Sequence, residues 1–159
     1  MPRINLHTSI NAPADIVFDL SRSIDLHKIS TARTNEEAIA GRTSGLIEMG
    51  EEVTWRARHL GITQLLTSKI TAFNAPVFFA DEMVSGAFKS FRHEHLFKEE
   101  EGITVMTDIF EYKSPLGIFG RLADVLFLKR YMYNFLAQRN AIIKSFAENP
   151  DSYKKVLPF

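Results

Sequence analysis

The 159 residues include no cysteine. Disulfides, thiolate nucleophiles and cysteine-ligated metal centres are therefore excluded. Neither charge is in excess. Nineteen Lys and Arg face nineteen Asp and Glu, so the chain as a whole has no electrostatic reason to hold nucleic acid or an anionic membrane. No apolar run approaches the ~20 residues of a membrane-spanning helix. Residues 1–10 also lack the apolar core of a secretion signal, so the cytoplasm is the expected location. There is no Gly-x-x-x-x-Gly-Lys-Ser/Thr loop to cradle phosphates and no Gly-x-Ser-x-Gly nucleophile elbow. Tryptophan occurs once and tyrosine four times, against thirteen phenylalanines. Phe fills space without a polar tip, which suits a thick core or the wall of an apolar pocket.

What is present reads as one domain over residues 1–159, with no repeat, linker or low-complexity stretch. Ile4, Leu6, Thr8 and Ile10 alternate with polar residues, a strand pattern. Pro13 then suits a first helical turn, with Asn11 or Ala12 as cap and Asp15 near the positive helix end. Ile16, Val17 and Leu20 give that short helix its apolar side, and a second short helix is expected over 24–29. From about residue 37 to 113, turn signals recur at strand-length intervals: Gly41, Gly45, Gly50, Leu60-Gly61, Asn74-Ala75-Pro76, Ser85-Gly86 and Glu101-Gly102. These predict consecutive antiparallel hairpins. After Ser114-Pro115-Leu116-Gly117, residues 118–147 form a helix of roughly 45 Å at 1.5 Å per residue. Leu122, Leu126, Lys129, Tyr133, Leu136 and Asn140 fall near one line along it, and Pro150 stops it. The class is α+β, with about seven strands.

The turns also predict registers. With Leu60-Gly61 as a two-residue loop, His59 faces Ile62, Ala57 faces Gln64, Trp55 faces Leu66 and Val53 faces Ser68. The opposite face carries Glu52 with Lys69 and Arg56 with Leu65, so the first set points inward. Carried onward, Phe78, Ala80 and Glu82 are inward. Phe78 then meets His93, Ala80 meets Phe91 and Glu82 meets Lys89. Closing Lys98 on Ile103 sets His95 opposite Met106, His93 opposite Asp108, Phe91 opposite Phe110 and Lys89 opposite Tyr112. A single bulge would flip part of this face.

That inward face mixes aromatics with Gln64, Ser68, Glu82, Lys89, His93, His95, Asp108 and Tyr112. Each unpaired buried polar group costs about 1–3 kcal/mol, so a solid core would not carry so many. A ligand-sized cavity accommodates them. Its expected wall is Trp55, Gln64, Leu66, Phe78, Phe91, His93, His95, Met106, Asp108 and Phe110 from the sheet, with Leu122 and Leu126 from the helix. Trp55 also fits a plain core position. The alternative is that the polar groups satisfy one another, His93 with Asp108 and Glu82 with Lys89.

The order of strand, two short helices, six strands and long C-terminal helix resembles the START-like superfamily, the SRPBCC group that includes Bet v 1 allergens and polyketide cyclases. Gly86-Ala87-Phe88, Phe91-Arg92-His93-Glu94-His95-Leu96-Phe97, Asp108 and Tyr112-Lys113-Ser114-Pro115-Leu116-Gly117 look like a bacterial branch of it, labelled loosely as cyclase/dehydratase or cell-division-associated. The resemblance implies a helix-grip fold, a curved sheet gripping the long helix. It further implies a space between them for lipids, hormones, polyketides or other apolar molecules, with catalysis in only some members.

His93, His95 and Asp108 form the sharpest constellation, because residues two apart on a strand share a face about 6.6 Å apart. As a metal site they match a two-histidine, one-carboxylate set, though the resemblance brings no metal. As a catalytic pair, Asp108 would orient His93 as a general base for cyclisation or dehydration. As a binding feature, the pair orients the polar end of an apolar ligand, which leaves least to explain. His7 and His27 are expected on the surface or in loops, His59 at the rim, and Lys129, Arg130, Arg139 and Lys144 on the solvated helix face. Outward Leu65, Phe79, Val105 and Ile109 would make an apolar patch, leaving monomer and homodimer both open. The expected function is binding of an apolar small molecule, with no metal or nucleotide cofactor. The alternatives are a cyclase, dehydratase or aromatase, and an interaction protein with a vestigial cavity.

Overall fold

The N-terminal alternation forms a strand, β1 (Arg3–Ile10), with Ile4, Leu6 and Ile10 buried. The computed structural model describes residues 1–158. Pro13 proves to be the cap of α1 (Ala14–Ser21) and not part of its first turn. In α2 (Ile24–Ser30) the Ser23 hydroxyl caps the helix by accepting from the Leu26 N–H at 3.1 Å. Six strands follow: β2 (Glu37–Gly41), β3 (Glu52–His59), β4 (Ile62–Asn74), β5 (Phe78–Ser85), β6 (Ser90–Glu100) and β7 (Ile103–Lys113). The antiparallel sheet has the order β1-β7-β6-β5-β4-β3-β2, so the first strand closes beside the last. It wraps a long C-terminal helix made of α3 (Gly117–Ala123), a π-helical turn (Asp124–Leu128) and α4 (Lys129–Ala147), followed by the short α5 (Pro150–Tyr153).

Two of the expected registers change. The β3–β4 pairing is as predicted, from His59 opposite Ile62 to Val53 opposite Ser68. Leu60 and Gly61 both take positive φ, the geometry of a two-residue hairpin loop. Glu101 and Gly102 do the same, so β6–β7 closes on Glu100 and Ile103 instead of Lys98 and Ile103. The slide of two residues preserves every face but changes partners. His95 lies opposite Asp108, His93 opposite Phe110, Phe97 opposite Met106 and Phe91 opposite Tyr112.

On β5 the slide is odd. Register shifts lie between Ile70 and Ala72 on β4 and between Thr67 and Ser68, so Asp81 pairs with His93, Phe79 with His95 and Ala80 with Glu94. An odd slide exchanges faces. Phe79 and Asp81 turn inward, and Phe78 and Glu82 turn out. Glu82 pairs with Arg92 at 3.2 Å and not with Lys89. The apolar outer patch correspondingly loses Phe79, which is buried against Phe18.

The long helix departs from an unbroken α-helix. The π-helical turn inserts an extra residue and rotates the remainder of the helix about its axis. Leu122, before the turn, and Leu126, within it, are 55% and 69% exposed, and beyond it the buried line runs through Met132, Leu136, Asn140 and Ile143. Arg139 is buried at 5% exposure, with its guanidinium donating to the Ser21 carbonyl and the Asn140 side chain. It is not part of a solvated face. The Tyr112 and Ser114 hydroxyls both reach Asp124, tying the end of β7 to the π turn. A Cβ on Gly120 would stand 2.0 Å from the Pro115 carbonyl oxygen, so only glycine lets the helix start this close to the strand end.

Phenylalanine serves both ends of the molecule. Under α1, Phe18 meets Phe73, Phe79 and Phe97 edge-on at 5.3–5.4 Å. Beyond it, Phe91 and Phe110 pack with Met132 and Leu136 of α4.

Candidate functional site

Between the sheet and α4 lies a cavity of about 490 Å³. Of the expected wall, Trp55, Gln64, Leu66, Phe91, His93, His95 and Phe110 line it. Asp108 is fully buried behind the histidines, and Met106 is fully buried where it accepts from the Ser21 hydroxyl at 3.3 Å. Phe78 lies outside the cavity for the bulge reason given above, and Leu122 and Leu126 lie outside it where the helix is exposed. The helix instead contributes Tyr131, Met132, Phe135, Leu136 and Arg139. Exposed Leu60, Ile62, Leu116 and Phe127 stand at the rim.

At one end of the cavity, Asp108 organises a buried cluster. Its Oδ1 lies 2.9 Å from His93 Nε2 and 3.0 Å from His95 Nδ1, the latter an ionic contact more than an aligned hydrogen bond. Its Oδ2 accepts from the Asn140 amide at 2.6 Å, and the Arg139 guanidinium stands 3.6 Å from Oδ1. His95 Nε2 reaches Asp81 Oδ1 at 3.1 Å, while Phe79 stacks on the His95 ring at 4.2 Å. Burial alone would raise both carboxyl pKa values, but the adjacent histidines hold Asp108 well below the carboxylate range and lower Asp81. Burial opposes charge on His95 as well, yet the two carboxylates raise its pKa. His93 is pushed down to about 4 by burial and by its neighbour His95. The cluster therefore favours charge on His95, between two carboxylates, and disfavours it on His93. With Nε2–H given to Asp108, His93 Nδ1 is left as an acceptor on a residue that lines the cavity.

Asp81, His93 and His95 each offer a ligating atom within 4.8 Å of the others, so this is where a metal could be held. It would have to displace the His95 proton and share the space with Arg139.

A second polar cluster lies at the α2–β3 side. Glu36 Oε2 meets His27 Nε2 at 2.6 Å, and Oε1 lies 3.4 Å from His59 Nε2. His59 Nδ1 and the Tyr131 hydroxyl are 2.8 Å apart. The His27 ring lies over Trp55 at 4.3 Å. Burial would raise the Glu36 pKa, but the two histidines bring it down to about 2. Burial and the Glu36 charge raise that of Tyr131. His27 and His59 thus belong to the cavity wall and not to a loop surface or a simple rim.

No protein-family model and no curated protein matches the sequence. Solved structures do. A Thermus thermophilus protein superposes with a TM-score of 0.71 at 16% identity, covering 91% of this chain and 98% of that one. Major latex-like protein 151 of Panax ginseng gives 0.68 at 15% identity, covering 93% and 98%. A START superfamily protein from Mycobacterium smegmatis gives 0.70 at 9% identity, covering 92% and 97%. The fold is the START-like helix grip. At these identities the likeness is one of architecture, and function must be argued from the site.

Helix-grip topology explains why the two clusters face one space, since both the curved sheet and α4 contribute to each. Sequence reasoning missed Asp81, Glu36 and Tyr131. For Glu36 the one available signal is a carboxylate just before a strand whose neighbour carries Trp55 and His59 on its inward face.

Proposed function

We propose that the chain binds an apolar or amphipathic small molecule, lipid-like or polyketide-like, in the cavity between sheet and α4. The observation that carries this reading is an aromatic-walled space of about 490 Å³, within the usual range for ligand sites, with two clusters of ionisable groups on its wall. Exposed apolar side chains at the rim offer such a molecule an apolar way in. Native mass spectrometry after mild purification should reveal a co-purifying organic mass, or uptake of an added apolar probe. A protein that is ligand-free in every preparation and takes up no probe overturns the proposal.

The geometry of His93 favours a second reading, an acid–base enzyme of the cyclase, dehydratase or aromatase type. A neutral imidazole oriented by a buried carboxylate on the cavity wall is what proton abstraction next to a carbonyl requires. His93→Ala and Asp108→Asn would then abolish turnover of a poly-β-keto substrate while probe binding survives. Turnover untouched by both substitutions removes this reading.

A further inference from the structure

The Glu36 cluster and the Asp108 cluster stand at different places along the same helix. Tyr131 and Arg139 are eight residues apart on α4, about 12 Å at 1.5 Å per residue. Across the sheet, His59 on β3 and His93 on β6 are three strands apart, roughly 14 Å at 4.8 Å per strand. Leu66, Phe91, Phe110, Met132 and Leu136 give the same cavity its apolar wall.

The hydrogen-bond pattern shows what each end offers. Glu36 Oε1 lies 3.4 Å from His59 Nε2, at the near end. The Tyr131 hydroxyl lies 2.8 Å from His59 Nδ1, and whichever of the two carries the shared proton, the phenolic oxygen keeps a lone pair for another group. At the far end His93 gives its N–H to Asp108, which leaves Nδ1 an acceptor, and the Asp81 carboxylate belongs to the same cluster and lines the same cavity. Both ends accept.

We infer that the ligand carries a hydrogen-bond donor, a hydroxyl in the first instance, at each end of an apolar body about 12 Å long, one received by Tyr131 and the other by Asp81 and His93. The inference rests on the cavity being a binding site. It adds the chemical class, an elongated apolar diol or diphenol rather than a fatty acid with one polar head.

The test uses trans-stilbene bearing a para hydroxyl at both ends, at one end or at neither, titrated against the full chain. Trp55, the only tryptophan, lines the cavity beside the Glu36 cluster and reports binding by quenching. The diol should bind about tenfold more tightly than the mono-ol, and the mono-ol more tightly than stilbene. Tyr131→Phe keeps the ring against His59 and should bring the diol down to the mono-ol's affinity. Asp81→Asn provides the same check at the other end. If all three probes bind alike, or the diol's advantage survives both substitutions, the two-ended inference is overturned while the cavity remains a binding site. If none binds and no ligand co-purifies, the binding proposal falls with it.

Discussion

The Asn140 side-chain amide donates to Asp108 Oδ2 at 2.6 Å, joining α4 to β7 behind the cavity wall. This bond and the neighbouring Arg139 make the helix part of the histidine cluster, so the grip of sheet on helix is polar as well as apolar here. Removing Asp108 would leave the buried His95 with Asp81 alone and would take from Arg139 the carboxylate 3.6 Å away. Asp108→Ala should therefore cost about 3–5 kcal/mol in denaturant unfolding. Asp108→Asn, which keeps the shape and some hydrogen bonds, should cost less. A loss below ~1 kcal/mol for the alanine variant would contradict this account.

Glu36 makes a prediction in pH. Its pKa is lowered from 4.5 to about 2. A lowered carboxyl pKa stabilises the fold above the unfolded value and loses that contribution as the pH falls through the folded one. Glu36→Gln should thus be less stable than the parent near neutral pH, by on the order of 3 kcal/mol at most. Unfolding curves of the two should converge as the pH drops from 4.5 towards about 2. A difference that stays constant from about pH 7 to pH 3 would show that the buried carboxylate is not held as described.

Gly120 offers a test of the helix start. Alanine is the better helix former by about 1 kcal/mol, so propensity alone predicts that Gly120→Ala stabilises. The Pro115 carbonyl, 2.0 Å from the would-be Cβ, and Ser114 Cβ at 2.9 Å predict the reverse. The variant should lose about 1–3 kcal/mol by thermal or chemical unfolding. A variant as stable as the parent would mean that the strand end and α3 do not pack this closely.

Much of the architecture was legible because local chemistry specifies it. Leu60-Gly61 fits a two-residue loop, and the charged outer pairs then choose the face of β3 and β4. On β5 the pattern cannot decide. Either alternation of Phe78-Phe79-Ala80-Asp81-Glu82 puts one Phe and one acid inward, and the register shifts near Thr71 and Val84 fall at ordinary strand residues with no glycine to mark them. The π turn is equally silent, since Asp124 declares its role only when Tyr112 and Ser114 reach it from β7. The Glu36 cluster draws on α2, the start of β2, β3 and α4, so no sequence spacing announces it. Composition and strand pattern point to the aromatic wall and to His93, His95 and Asp108; the Glu36 end takes shape only in the folded chain.

The central claim is that small molecules bind inside, between sheet and helix, and methyl-detected NMR tests it most directly. On titration with an apolar probe, shifts should concentrate at Leu66, Met132 and Leu136, which line the cavity, and spare the outer-face Leu65, Val105 and Ile109. Saturable shifts at the outer residues with the cavity methyls unmoved, or no shifts at all, would contradict it.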